Sequence, residues 1–405
     1  MIFFYLVILS VFLATQSLGL LIWRRRLISR PRFRLAVTCL FAGANLPWLY
    51  FFYAVAKPGL PPGWVTVLII RPFLTWQFGL LIWLAVLWVL TILSLLVFSL
   101  PRLAFRRRRN IEERPGQDEP ANPGRRVFLV QTARAAVWGG IAAGTGWGLV
   151  RSGAAPRVVT HDLAFDHLPR TLDGLKIAHL SDLHIGLWTS AEEVAQAFDL
   201  TRQLKPDLVV ITGDIIDHNP NFSRVFIRYS DLPAEAPLGV FGIIGNHDVY
   251  TGANAVTEAL ESGGLVMLRD RHHSFKPQGL PLALIGVDDS GRHWTGSGGP
   301  LPLDQAMTGL PKDIFPIFLT HRPTGFEQAK AMGIPLTLCG HTHGGQFAIP
   351  GGPNLADLAY KYTHGLYREP EGLLHVSAGL GSVGLPFRLG VSPEITLLRL
   401  TASSA

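Results

Sequence analysis

Hydrophobic positions along this chain follow two different scales, and the change falls near residue 155. Before it, apolar residues come in long runs. Residues 1–23 carry no charge. At about 1.5 Å per helical residue they suffice to cross a hydrocarbon core roughly 30 Å thick. A second run, Leu35 to Ala56, closes on the aromatic stretch WLYFFY, as expected where a helix meets a membrane interface. A third, Trp64 to Leu100, is interrupted by Arg71-Pro72. That interruption predicts a piece lying at the outer interface over 64–70 and one long spanning helix over 73–100. A fourth run, Val127 to Val150, is rich in glycine and alanine, with Arg134 near its start. It reads either as a span or, behind GRRVFLV, as a twin-arginine-like export signal. No Ala-x-Ala-like cleavage site follows residue 23 before the arginines, which favours a retained anchor over a signal peptide.

After residue 155 the apolar runs shorten to strand length and alternate with amphipathic stretches. LKIAHL, DLVVI, LGVFGII, FPIFL and IPLTL read as buried strands, and AEEVAQAFDLTRQ as a helix capped by Ser190. Strands alternating with helices predict an α/β domain. The expected organisation is 1–109, three transmembrane helices with Arg-rich cytoplasmic loops; 110–126, a polar Pro-rich linker; 127–150, the fourth apolar segment; and 156–405, the soluble domain.

Charge sharpens this division. The net charge is +7, but residues 1–155 hold 18 lysines and arginines against 4 acids, and the remainder holds 18 against 25. The excess basic charge sits in short loops between apolar runs, such as RRRLISRPRFR at 24–34. That is the pattern of membrane topology, and it argues against a nucleic-acid-binding face. The positive-inside rule puts 24–34 and 102–126 on the cytoplasmic side, so the chain after residue 155 is expected outside a cell membrane. Cys39 and Cys339 are the only cysteines, too few for a disulfide framework.

Each predicted strand of the second half runs out into polar chemistry. SDLH ends one at Asp182 and His184, GDIID another at Asp214, and GNHD a third at Asn246, His247 and Asp248. THRP ends a fourth at His321, and CGHTHGGQ a fifth at His341 and His343. Any one of these has an ordinary explanation, such as an Asx turn, a helix cap or a core histidine. Five together at the ends of strands do not, because unpaired polar groups there cost free energy unless something binds them. A set mixing carboxylate, imidazole and amide oxygen suits Mn, Fe or Zn better than Ca²⁺. Two such ions about 3.5–4 Å apart clamp a phosphoryl group and activate a shared water without a serine or cysteine nucleophile. On an extended segment His341 and His343 would share a face and point at adjacent ions.

The ordered set SDLHIG, GDIID, GNHD, THRP and GHTHGGQ resembles the calcineurin-like metallophosphoesterases, over about 173–394. The resemblance implies a four-layer α/β/β/α sandwich and two divalent metal ions. It implies Asp182, His184 and His343 on the first ion, Asp214 bridging, and Asn246, His321 and His341 on the second. It also implies His247 as the general acid, oriented by Asp248. The stretch from Tyr362 to Ile395 is similar to a membrane-associated bacterial branch. Some of its members cleave UDP-2,3-diacylglucosamine, and others carry twin-arginine signals. The expected protein is therefore an integral protein of the bacterial inner membrane that hydrolyses phosphate esters with a metal-bridging hydroxide. The alternatives are a pyrophosphatase on a lipid-linked nucleotide, or a scaffold that has lost its chemistry. Expected partners are a phosphorylated, lipid-linked or free, small molecule and the membrane. Arg322, Arg388, Trp188 and Trp294 are open between site roles and plain packing.

Overall fold

The computed structural model describes residues 31–56, 61–77 and 155–403, apart from 230–231, 291–299, 350–351 and 385–387, plus isolated positions before residue 144. The expected spans over 1–23 and 127–150, the part of 73–100 beyond Gln77, the 102–126 linker region and Trp294 lie outside the described residues or touch them only at isolated positions. Among the described residues one helical stretch, Pro31–Ala54, is long and apolar enough to cross a membrane. It is built from the helices Pro31–Asn45 and Pro47–Ala56.

One expectation there is corrected. Arg71-Pro72 does not interrupt the helix, which runs on from Gly63 to Gln77. Thr66–Ile70 forms a wide π turn in which the Arg71 N–H bonds to the Thr66 carbonyl. Proline has no N–H for the next helical bond and its ring crowds the preceding turn, and a wider turn relieves both.

The second half contains two six-stranded mixed sheets. The first has order β1 (Arg157–Phe165), β12 (Glu394–Ala402), β2 (Lys176–Leu180), β3 (Leu208–Ile211), β4 (Val240–Gly242), β5 (Val266–Met267). The second has order β10 (Gly365–Glu369), β11 (Gly372–Val376), β9 (Leu336–Cys339), β8 (Phe315–Leu319), β7 (Leu282–Gly286), β6 (Arg271–Ser274). β2, β3, β4 and β5 are parallel neighbours, as are β7, β8, β9 and β11, so their C-terminal ends collect at one edge of each sheet.

Alternation along each strand builds the layers. Leu208 and Val210 of β3 join Ile177, Leu284, Ile317 and Leu338 in a core containing residues of both sheets. Val209 and Ile211, on the other face of β3, pack with Phe198, Phe226 and Leu260 from the covering helices. On the far face of the second sheet, Ile285 and Phe318 meet Leu303 and Ala329. The result is the α/β/β/α sandwich. Each fully buried leucine, isoleucine or valine there contributes about 1.5–3 kcal/mol. The helix Ala191–Gln203 begins as expected, with the Ser190 hydroxyl and the Glu193 carboxylate closing a capping box.

The helix over 63–77, which follows the candidate span, is fastened to this sandwich. Val65, Ile70 and Leu74 join the core on the helix-covered face of the first sheet. Arg71, 5% exposed, donates from Nη2 and Nε to the Trp188 carbonyl at 2.6 and 3.2 Å, and from Nη2 to Glu193 at 2.5 Å.

Candidate metal centre

The ends of β2, β3, β4, β8 and β9 bring the predicted residues to one place. Asp182 and His184 follow β2, Asp214 follows β3, and Asn246 starts the helix Asn246–Ser262 just after β4. His321 follows β8, and His341 and His343 follow β9. Asp182, His184, His321 and His343 are buried to 2% exposure or less, with Asp214 likewise at 2%.

Two groups of donor atoms form. In one, His184 Nε2 lies 3.1 Å from His343 Nε2, and Asp182 Oδ1 lies 3.4 Å from His343 Nε2. In the other, His321 Nε2 lies 3.1 Å from His341 Nδ1 and 3.2 Å from Asn246 Oδ1. Asp214 Oδ2 stands between them, 3.6 Å from His184 Nε2 and 3.2 Å from His321 Nε2. Asp182–His184–His343 and Asp214–His321–His341 each offer ligand atoms that lie within 4.8 Å of one another, as does a third group beside them, His184–Asp217–His247.

The donor set fits divalent metal. Twice, two imidazole nitrogens face each other, which leaves room for one proton at most between them. His321 Nδ1 donates to the Thr212 carbonyl at 2.8 Å, so Nε2 is turned into the site. His184 Nδ1 faces Asp217 Oδ2 at 3.5 Å. Partners of these kinds orient imidazole ligands and fix their tautomers. Burial holds His341 and His343 well below the usual imidazole range, so both are neutral.

The backbone departs from expectation. His341 and His343 are not on an extended segment: both have left-handed φ, 72° and 53°, and His343 opens a short 3-10 turn. They reach different groups because the chain turns sharply between them.

The orienting role expected of Asp248 is likewise corrected. Its carboxylate accepts from the N–H groups of Ile215, Ile216 and Gly245, tying the Asp214 loop to the helix start. The His247 ring turns instead to Asp217, with Nδ1 3.1 Å from Oδ1. Burial opposes the charge on His247, but Asp217 and Asp214 outweigh it and push it up to about 9. Asp217 is the last residue of GDIID, and the motif alone does not assign it a role. Its signal was a second acid three positions after Asp214.

Two further side chains border the ligands. Tyr360 Oη lies 2.9 Å from His341 Nε2, and Arg388 Nη2 lies 3.1 Å from His343 Nδ1. Arg388 is buried among the carbonyls of Ala378, Gly379 and Gly381. Arg322 pairs with buried Asp289. Trp188 is buried beside the His218 ring.

Residues 175–345 match the family model described as calcineurin-like phosphoesterase. The Bacillus subtilis metallophosphoesterase YkuE is 30% identical over 290 residues, covering 69% of this chain and 98% of that protein. The chain belongs to the calcineurin-like metallophosphoesterases. Another relative, the Escherichia coli phosphodiesterase YaeI, is 32% identical over 287 residues, covering 68% of this chain and 98% of its own length. The zebrafish transmembrane protein with metallophosphoesterase domain is 33% identical over 260 residues, and the match spans 62% of this chain and 58% of that protein. Membership of the calcineurin-like metallophosphoesterases makes the chain a metal-dependent hydrolase of phosphoesters.

Proposed function

We propose that this chain is a membrane-anchored phosphoesterase with two divalent ions, Mn, Fe or Zn, held at the strand ends. Asp182, His184 and His343 hold the first, Asn246, His321 and His341 the second, and Asp214 both. The observation that carries this reading is the position of Asp214 Oδ2 between two imidazole-rich groups. Bound divalent ions supply Lewis-acid polarisation of the phosphoryl group and acidify water.

The chain's own residues do the rest. Asp217 holds His247 by Nδ1 and keeps it protonated at neutral pH, leaving Nε2 to deliver a proton to the departing oxygen. Asp248 keeps the loop of Asp214 and the start of the His247 helix in register through three backbone N–H groups. The test is hydrolysis of bis(p-nitrophenyl) phosphate by the full chain. Mn²⁺ is expected to stimulate it, and Asp214→Asn to abolish both turnover and stoichiometric metal. Full activity after chelation overturns the reading.

The Arg71 contact supports an extracytoplasmic catalytic half. In this reading segment 63–77 and the catalytic half, joined by that contact, share one side of the membrane. The arginine-rich stretches 24–34 and 102–126 belong on the cytoplasmic side, and the span Pro31–Ala54 leads away from the first of them. The apolar run 127–150, read as either a span or an export signal, leads to the same outer side. A reporter fused at residue 155 reads this directly: cytoplasmic activity of the reporter contradicts it.

A further inference from the structure

Among the described residues from 155 onward, the three most exposed large apolar side chains fall within ten residues of one another. They are Leu358 at 85%, Ile349 at 65% and Leu355 at 58%; Tyr250 follows at 46%. Leu355 and Leu358 lie on one short helical turn, Leu355–Leu358. Asn354 and Asp357 close a capping box at its start, and Asn354 Nδ2 also reaches Thr363 Oγ1 at 3.0 Å. The exposure therefore belongs to a built turn.

This turn is rooted in the metal centre on both sides. Gln346, three residues after His343, precedes it, and Tyr360, hydrogen-bonded to His341, follows it. It is also continuous with the rim on which the helix over 63–77 sits. Gln346 exchanges two hydrogen bonds with Val383, and Phe347 bridges to Leu389. Leu380, Gly381 and Ser382, just before Val383, line a small cavity with Arg71 and Trp188. The outer face of that helix bears Trp64, Leu68 and Trp76, all exposed. Tryptophan and leucine on one face are what a bilayer interface selects.

We infer that the Leu355–Leu358 turn, with Ile349, docks in the outer layer of the bilayer that the amino-terminal helices enter, so that the centre serves phosphoesters borne on lipid. The inference rests on the membrane-anchored phosphoesterase reading. Two apolar outcrops, linked to the phosphoryl site through these contacts, let a lipid keep its chains in the membrane while its phosphate reaches Asp214 and His247. Desolvation of leucine side chains supplies the attachment without any basic patch.

The test uses the full chain in nanodiscs of phosphatidylethanolamine and phosphatidylglycerol. Leu358→Cys in a Cys39→Ser background carries an environment-sensitive fluorophore. Quenching by nitroxide-labelled lipid, with protection from aqueous iodide, is expected; iodide quenching alone overturns the docking. For the substrate, Leu355→Glu with Leu358→Glu is expected to lower kcat/KM about 10-fold or more on a bilayer-borne diacyl phosphodiester while leaving bis(p-nitrophenyl) phosphate turnover unchanged. Equal loss on both substrates, or loss on neither, overturns the lipid assignment, and a protein occupant of the turn would leave both lipid readouts unmoved. The fluorescence result stands whether or not the wild type turns over a phosphoester, so failure of docking and failure of the hydrolase reading are told apart.

Discussion

Replacing Arg71 by alanine tests whether the amino-terminal half is part of the catalytic scaffold. The guanidinium is 6% exposed and makes two hydrogen bonds to the Trp188 carbonyl and one to Glu193. Bonds from a charged donor contribute about 1.5–3 kcal/mol each when buried. Glu193 is 26% exposed and keeps its bond from Ser190 N at 2.8 Å, so its charge regains water on truncation. The ion pair is thus closer to the roughly 1 kcal/mol of a surface pair than to the ~3–5 kcal/mol lost when a fully buried pair is broken. Nε and Nη2 share one carbonyl acceptor and count as a single bond at the low end of that range, so with the ion pair the loss should total about 2–3 kcal/mol, concentrated in the loop that joins His184 to the helix Ala191–Gln203. That loop is short, and Thr189 Oγ1 bonds back to the Leu183 carbonyl between the two β2 ligands at 3.1 Å. In full-length protein in nanodiscs, amides 186–193 should exchange hydrogen about 30- to 150-fold faster in Arg71→Ala. A double-mutant cycle with Glu193→Gln should return a coupling near 1 kcal/mol. Acceleration below about threefold, or strict additivity, refutes the reasoning and leaves the seam as mere adjacency.

Asp217→Asn should cut kcat about 100-fold on a substrate with a poor leaving group. His247 must be protonated to act and its activity is lost above its pKa, so removing the acid that raises it should move the alkaline limb of the pH–rate profile down by about 1–3 units. An unmoved limb contradicts the pairing. Gly340→Ala would drive a methyl group into Ser181 and Asp182 Oδ2, so bound metal measured by mass spectrometry should fall while the sheets persist by circular dichroism. Mn²⁺ uptake at pH 7 should release protons, because burial is outweighed at His321 by Asp214, Asp182 and Asp289, which push it up to about 10 without metal, whereas a ligand nitrogen must be bare. Titration calorimetry in buffers of different ionisation enthalpy measures the count, and zero protons released contradicts it.

What the sequence made legible was set by periodicity and by strand endings. The runs DLVVI and IPLTL became β3 and β9 because a strand buried on both faces must be continuously apolar. The polar residues after them had nowhere to go but the sheet edge. Partners chosen by three-dimensional closure were not legible. Asp217 was visible as an acid, but its choice of His247 depends on the turn after β3. Tyr360 and Arg388 reach the ligands from 19 and 45 residues away, a separation that no local pattern reports. The buried pair His179 and His375, with Nδ1 atoms 2.9 Å apart across the two sheets, is of the same kind.

Backbone strain gives the centre a further logic. Nine non-glycine residues among those described have left-handed φ, and Asp182, His184, Asp214, His341 and His343 are five of them. Each such residue costs on the order of 1 kcal/mol or more, yet the strain falls where the donors stand. The reason lies in where a donor must point. A side chain continuing the pleat would face a helix layer or the opposite sheet, so meeting at the rim requires the chain to turn abruptly within a few residues past the ladder. Glycines share the task where no side chain fits: Gly213 has φ 86° and packs against Gly245 and His321, and a side chain there would separate the strand ends. Aspartate and histidine tolerate the left-handed region better than branched residues do. The same short polar side chains that bind a cation are therefore those that can occupy the corners, which is why the ligand motifs are so compact in sequence. The two sheets, with apolar cores on both faces, hold those corners, and binding a divalent cation returns part of their cost.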